Sequence, residues 1–366
     1  MAMLHLSMGL GCPLQVVTVD HGLRAEAAAE AAAVGRVCTA LGVPHVVVPW
    51  HWDGRGNLQD AARRGRRAVI ADWARRNGVE VVALGHTQDD VAETFVMRLA
   101  RGAGVDGLAA MSGDWVEGGI RWVRPLLTVS RAELRAYLAG LGQVWADDPS
   151  NDNDRFERVR VRKALVGLQG LGVSAARLAE VAAHLGDARA ALEQAAASAF
   201  GRVAKVVGPA VRLDLQALAS EAAEVQRRVL GLVLARLVVA DYAPRGASVQ
   251  RFLARALAGQ AATLAGVRFQ VTRTGAWCFR EVPAAAVPAG QVWDGRWQIV
   301  GDLPEGAEVR ALGSGIALCQ LWRDTGLPRA SLLTSPALWV GDRLLAAPHA
   351  SFGPGYSVIS LFDATG

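Results

Sequence analysis

Residues 85–104 read GHTQDDVAETFVMRLARGAG, and the fold turns on what flanks and fills this stretch. Directly before it, Val79 to Leu84 is a short apolar run of the kind that forms a strand buried on both faces. The run breaks at Gly85 and His86. Ala92, Phe95, Val96 and Leu99 then fall at i, i+3, i+4 and i+7, which predicts a helix over 88–100 with those four on its buried face. Thr87 is placed to cap that helix, with Asp90 three residues on in the capping-box position.

The same alternation extends upstream. Residues 15–21, QVVTVDH, form an apolar run that ends at Asp20, His21 and Gly22. An alanine-rich helical stretch covers Glu26 to Leu41, a second apolar run His45 to Pro49, and an arginine-laden helix Asn57 to Asn77. Short apolar strands alternating with helices predict an α/β fold, a parallel sheet with helices on both faces. Ligands bind such sheets at the carboxyl ends of the strands. Two strands here end in VDHG and LGH, so polar residues stand where a site belongs. The opening MAMLHLSMGLGCPLQ lacks a basic leader and a small-residue cleavage site, and reads as a helix of the fold.

Downstream the character changes. Residues 171–265 are rich in Ala and Leu at helical spacing, 267–281 alternate like a hairpin, and 291–366 show short strands between Gly and Pro turns. Three domains are expected: a catalytic α/β domain over 1–185, a mostly helical one over 186–285 and a small β-rich one over 290–366.

Bulk properties bound the function. The chain has 366 residues, 52% of them hydrophobic and 20% charged, which describes a folded protein. Its +5 formal charge suits a polyanionic partner without requiring one. The cysteines Cys12, Cys38, Cys278 and Cys319 show no metal-ligand spacing and point to a reducing compartment, the cytoplasm. No apolar stretch reaches the roughly 18 residues a membrane span needs.

The residues with chemical potential cluster. Asp89, Asp90 and Glu93 lie in the first turns of the 88–100 helix, beside the strand end that carries His86. Acidic side chains favour a helix N-terminus for its dipole alone. Three carboxylates and a histidine exceed what capping needs, and could hold Mg²⁺, orient an amine, or both. Arg101 to Gly104 close the helix in a positive turn suited to phosphate. Asp20 and His21 sit where a nucleotide's base or ribose would lie, although a histidine satisfied within its own turn reads equally simply. Arginines gather at 63, 64, 66, 67, 75 and 76, at 121, 124 and 131, and in RFERVRVRK as Arg155, Arg158, Arg160, Arg162 and Lys163. Such density fits a phosphate backbone, with a solvated basic face as the plain alternative.

Taken together, TVDHGLR at 18–24, GHTQDDVAETFVMRLARGAGVDGLAAM at 85–111, RPLL at 124–127, RAEL at 131–134 and DDPSNDNDRFERVRVR at 147–162 resemble the tRNA(Ile)-lysidine synthetase family of the PP-loop ATPase superfamily. The resemblance is strong over about 1–185 and one of general character beyond. It implies an ATP-dependent ligase that adenylates C2 of the wobble cytidine in the CAU-anticodon isoleucine tRNA, after which free L-lysine displaces AMP. It further implies that Asp89, Asp90 and Glu93 serve the Mg²⁺–ATP and lysine-amine side of the pocket, with Asp89 and Asp90 as metal ligands. Asp20, His21, His86 and Arg101 would line the nucleotide site, and Arg124, Arg131, Arg158, Arg160 and Arg162 would face the tRNA.

Three departures from the family pattern stand out. The first strand and its SGGxDS phosphate loop are not in the sequence, which starts at what resembles the helix after that loop. An upstream start that supplies them is the leading expectation, and an inactive tRNA-binding homologue the alternative. Val91 replaces the Gln of DDQAET, and Val159 the Asn of RNRxR. Another PP-loop enzyme is the nearest rival. tRNA cytidine thiolation normally shows paired cysteines, which are missing, and amidation would not call for so many arginines.

Overall fold

The computed structural model describes residues 1–22, 26–52, 54, 58–145, 157–239, 244 and 246–361. They divide into two compact units, Met1–Arg189 and Ala190–Gly366.

The first unit opens with α1 (Ala2–Met8), β1 (Val16–Asp20), α2 (Glu26–Ala40), β2 (His45–Pro49), α3 (Leu58–Arg76), β3 (Val81–Ala83) and α4 (Gln88–Leu99). It continues with α5 (Val105–Leu108), β4 (Asp114–Glu117), β5 (Ile120–Val123), α6 (Arg131–Gly140), α7 (Glu157–Leu168) and α8 (Ala175–Val203). The expected strand–helix alternation is present, and β1 pairs with β2, and β3 with β5, in parallel. The parallel pairs belong to separate small sheets, β1–β2 and β3–β5–β4, the latter closed by an antiparallel hairpin. Among the described residues β1 and β3 have no ladder between them. One core spans both sheets: Ile70, Ala71 and Ala74 of α3 pack on Ile120 and Trp122 of β5, with Val17 and Val19 of β1 and Val82 of β3 against them.

The buried stripe of α4 differs from the one its spacing predicts. Val91, Ala92, Glu93 and Phe95 are buried, whereas Leu99 is 53% exposed. Side chains of α8, including Leu178, Ala182 and Leu185, cover Val91 and Phe95 and leave the last turn in solvent. Val91 therefore sits in an apolar setting, where a glutamine amide would need a partner. Val159 of α7 is likewise buried, 4% exposed.

In the second unit, β6 (Ala204–Val207), β7 (Ala210–Leu213), α9 (Leu215–Ser220), α10 (Ala223–Leu237), α11 (Gly246–Leu257), β8 (Ala262–Leu264), β9 (Val267–Thr272) and β10 (Gly275–Arg280) build an antiparallel sheet of order β6–β7–β10–β9–β8 with helices on one face. The 267–281 hairpin is thus two strands of a five-stranded sheet. The helical reading of this region overlooked the sheet, because β6, β7 and β8 are only three or four residues long and sit inside Ala- and Leu-rich sequence. Strand β10 is buried on both faces: Ala276 and Cys278 join the helix-side core, Trp277 and Phe279 the core beneath the C-terminal strands. Those are β11 (Val287–Pro288), β12 (Trp297–Val300), β13 (Glu308–Ala311), β14 (Pro336–Val340), β15 (Arg343–Ala346) and β16 (Ser357–Ser360), with α12 (Arg329–Leu333) between β13 and β14. They form a four-stranded sheet and a separate β12–β16 pair, consistent with the β-rich character expected there.

Candidate active site

The carboxyl ends of β1 and β3 and the first turns of α4 gather most of the residues singled out in the sequence. Helix α4 starts where its capping box dictates. The Thr87 N–H and hydroxyl both donate to Asp90 Oδ2 at 2.9 Å, and the Asp90 N–H returns to Thr87 Oγ1 at 3.4 Å. Asp89 is used differently: its Oδ2 accepts the backbone N–H of Arg131 at 2.6 Å, at the start of α6. Glu93, one turn further, is 1% exposed. Its Oε1 accepts from Arg162 Nε at 2.6 Å and from Arg131 Nη1 at 3.3 Å, while its Oε2 is buried without a hydrogen bond. Asp90 Oδ1 faces Arg131 Nη2 at 3.4 Å and Arg158 Nη1 at 3.9 Å. Burial would raise the Asp90 pKa, but the two Thr87 hydrogen bonds and the arginines Arg131 and Arg158 outweigh it and hold the carboxyl below its ordinary value.

Two histidines mark the strand ends, and each accepts from an arginine. His86 Nδ1 takes the Nε–H of Arg124 at 3.1 Å. His21 Nε2 takes donors of Arg66, Nη2 at 3.1 Å and Nε at 3.3 Å. An accepting ring nitrogen carries no proton, so both rings are neutral in this arrangement. Burial and the nearby arginines Arg124, Arg63 and Arg158 lower the His86 pKa to about 4, against a small opposing pull from Asp90. His21 is lowered as well, first by burial and then by Arg66. Arg124 is fixed further by a 2.5 Å bond from Nη1 to the Ser112 carbonyl and by stacking 4.1 Å over the Trp115 ring. Asp20 Oδ1 accepts the Gly22 N–H at 2.9 Å, closing the turn after β1, which needs the positive φ of +60° that Gly22 supplies.

The structure thus brings together His86, Asp89, Asp90, Glu93, Arg124, Arg131, Arg158 and Arg162. Asp20 and His21 occupy the end of the neighbouring β1. Arg101 does not join them. It follows the C-terminus of α4, about 18 Å along the helix axis from Asp89 at ~1.5 Å per residue, and pairs with Glu157 of α7. Arg160 is exposed on α7, two residues from Arg158 and Arg162 and so on another side of the helix. The segment 147–156 of the DDPSNDNDRFERVRVR motif, and Arg24, lie outside the described residues. Sequence reasoning grouped Arg63 and Arg66 only as part of a basic helix. Their i, i+3 spacing on α3 was the available signal for a shared face.

As a metal centre this acidic group offers little. Both Asp90 oxygens face Thr87 donors or guanidinium groups, and Asp89 keeps only Oδ1 without a hydrogen bond. Among the described residues no three His, Cys, Asp or Glu side chains converge as a metal cage. A Mg²⁺ that keeps phosphate and water ligands needs only one or two carboxylates, which Asp89 Oδ1 fits and Asp90 does not. None of the helices among the described residues is long and apolar enough to cross a membrane.

Over residues 1–168 the chain matches the family profile described as a PP-loop domain. It is 43% identical over 353 residues to a tRNA(Ile)-lysidine synthase of Ruegeria pomeroyi, covering 94% of this chain and 83% of that one. A tRNA(Ile)-lysidine synthase of Novosphingobium aromaticivorans is 42% identical over 274 residues, 73% of this chain and 81% of that one. Among solved structures, a U34-tRNA thiolase from Methanococcus maripaludis aligns with a TM-score of 0.43 at 16% identity, over 51% of this chain and 67% of that one, too low for the likeness to carry weight.

Proposed function

Because the chain belongs to the tRNA(Ile)-lysidine synthase family, we propose that the ends of β1 and β3, with the first turns of α4, are where it joins free L-lysine to the wobble cytidine of the CAU-anticodon isoleucine tRNA. The protein is an ATP-dependent carbon–nitrogen ligase that modifies tRNA. In the first step the O2 of cytosine attacks the α-phosphorus of ATP and pyrophosphate leaves. In the second, the ε-amine of lysine attacks C2, AMP departs and one proton is lost. The product changes both the codon read and the amino acid accepted.

The observation that carries this reading is the buried carboxylate of Glu93, whose Oε1 pairs with Arg131 and Arg162 while its Oε2 has no hydrogen bond. An unsatisfied buried acceptor favours a cationic donor, and the lysine ammonium is the substrate group that fits. Arg124, Arg131 and Arg158 supply positive charge against the phosphates on the same side. Such preformed cations stabilise the charge that builds at phosphorus and on the leaving group without rearranging. Asp89 Oδ1, which has no hydrogen bond, would be the carboxylate contact of a Mg²⁺ carried by ATP, and the ion would offset phosphate charge. Arg160 and Lys163, exposed on α7, face the tRNA, and the 186–366 region positions it. The reaction belongs to the cytoplasm, where tRNA is matured.

The test is incorporation of radiolabelled lysine by the full-length protein into a transcript of the CAU-anticodon isoleucine tRNA, with and without ATP. ATP-dependent label in that transcript, and none in a methionine tRNA sharing the anticodon, is expected. No label in either sinks the reading.

A further inference from the structure

The stretch DWVEGGIRWVR, at 114–124, sets a tryptophan against an arginine of the site. Gly118 and Gly119 have φ of +62° and +76°, the pair of left-handed residues that a two-residue hairpin turn requires. That turn fixes the register. Glu117 faces Ile120, Trp115 faces Trp122, and just past the ladder the Arg124 N–H donates to the Gly113 carbonyl at 2.8 Å. Side chains alternate along each strand, so Trp115, Glu117, Trp122 and Arg124 share one face of the hairpin, while Val116 lies on the other and is 72% exposed.

On the shared face Arg124 is held at three places. Its guanidinium carbon lies 4.1 Å from the centroid of the Trp115 ring, its Nε–H donates to His86 Nδ1 at 3.1 Å, and its Nη1 donates to the Ser112 carbonyl at 2.5 Å. Trp115 is fixed in its turn. Its ring stacks on the buried Trp122, with centroids 6.0 Å apart and planes 14° from parallel. Its Nε1–H donates at 3.1 Å to Glu117 Oε2, which also pairs with Arg67. Arg124 Nη2 makes no hydrogen bond among the described residues and is the edge left for a ligand. A guanidinium stacked on an aromatic ring keeps its charge and its outward donors while its plane is set.

We propose that Trp115 is a positioning residue of the ligation site, holding the plane of Arg124 so that its free Nη2 edge meets the reacting groups already oriented. This role rests on the reading of Arg124 as a cation of that site. The indole, stacked on Trp122 and overlaid by Arg124, is engaged by the protein and touches no substrate. Pre-set orientation of a charged group removes an ordering cost that would otherwise fall within the reaction itself.

The experiment pairs an NMR signal with kinetics, both on the full-length protein. The Arg124 Nε–H resonance, assigned by its loss in Arg124→Lys, is expected to move downfield in Trp115→Leu, where the ring current is removed, and to stay near its place in Trp115→Phe. In lysine incorporation, Trp115→Leu is expected to lower kcat about tenfold and to leave the KM for lysine within about twofold, because Glu93 still holds the amine. Trp115→Phe, which keeps an aromatic face, recovers most of the rate. In an Arg124→Ala background Trp115→Leu adds no further loss, since its effect passes through the missing guanidinium. Val116→Ala, on the other face of the same strand, changes neither readout. An unmoved resonance or a wild-type kcat in Trp115→Leu overturns the role, as does a Trp115→Phe as slow as Trp115→Leu. A loss that multiplies with that of Arg124→Ala also overturns it, and is the mark of a purely structural tryptophan. A wild-type protein that incorporates no lysine removes the function, and the resonance alone then decides whether Trp115 holds Arg124.

Discussion

The carboxylate of Asp89 accepts the backbone N–H of Arg131 at 2.6 Å, so the first turn of α4 caps the first turn of α6. Four N–H groups are left over at any helix start. At α6, Ser130 and Glu133 form a local capping box, with Glu133 Oε2 accepting the Ser130 N–H at 2.8 Å. Asp89 satisfies a further donor from 42 residues away. The same contact places the Arg131 side chain over Asp90 and Glu93.

Removing that cap should be measurable. Asp89→Ala is expected to lower stability by about 1–2 kcal/mol, the usual worth of a helix cap made by a charged acceptor. Asp89→Asn keeps an acceptor oxygen and should lose about half as much. Urea unfolding of the three proteins checks this, and equal losses for Asn and Ala would show that the oxygen is not what matters.

Glu93→Gln tests the buried carboxylate. The side chain is 1% exposed, but Arg131 and Arg162 are about a third exposed and retain solvent. The destabilisation should therefore fall below the ~3–5 kcal/mol of a fully buried broken pair, at about 2 kcal/mol. Lysine incorporation should drop at least tenfold, and it should not recover when the assay is run at a temperature where the variant is fully folded.

Acid should weaken the fold through its histidines. His86 and His349 both have folded pKa values of about 4 against an ordinary 6.5, because burial opposes the charge, helped by Arg124, Arg63 and Arg158 near His86 and by Arg296 near His349. Between those values the unfolded chain binds more protons than the folded one, so stability rises with pH across this window and is complete above about 6.5. Unfolding midpoints measured from pH 7 down to pH 5 should decline, and His86→Gln and His349→Gln should each flatten the decline. A slope unchanged in both variants would assign the acid sensitivity elsewhere.

A fourth expectation concerns the second unit. Arg296 is 1% exposed, and its Nη2 bonds Asp294 Oδ2 at 2.6 Å while its Nη1 reaches the Arg236 carbonyl at 3.2 Å. Arg280 holds the other Asp294 oxygen at 3.0 Å. Asp294→Ala strands a buried guanidinium and should cost about 3–5 kcal/mol. Asp294→Asn should cost less, since Asn retains an acceptor and tolerates the left-handed φ of +57° at this position. Thermal unfolding that leaves both variants at the wild-type midpoint would contradict the arrangement.

What the residue pattern determined was local. Strand–helix alternation, the Thr87–Asp90 capping box and the placement of His21 and His86 at strand ends all follow from periodicity and from chemistry within a few residues. These are interactions the chain can specify before it folds around itself. Tertiary packing decided which side chains meet. Arg162 reaches Glu93 across 69 residues and Arg66 reaches His21 across 45, and nothing in either local stretch announces the partner. The buried stripe of α4 ran through Val91 instead of Leu99 because α8 covers the first two turns of α4, a neighbour that its own sequence does not name. The short strands β6, β7 and β8 are held by ladders to one another and to β9 and β10, and not by a propensity of their own. The sequence therefore marked where a site is expected, at the carboxyl ends of β1 and β3. Only burial of distant elements against one another decided that Asp90 and Glu93 are braced by Arg131, Arg158 and Arg162, and that His21 and His86 accept from Arg66 and Arg124.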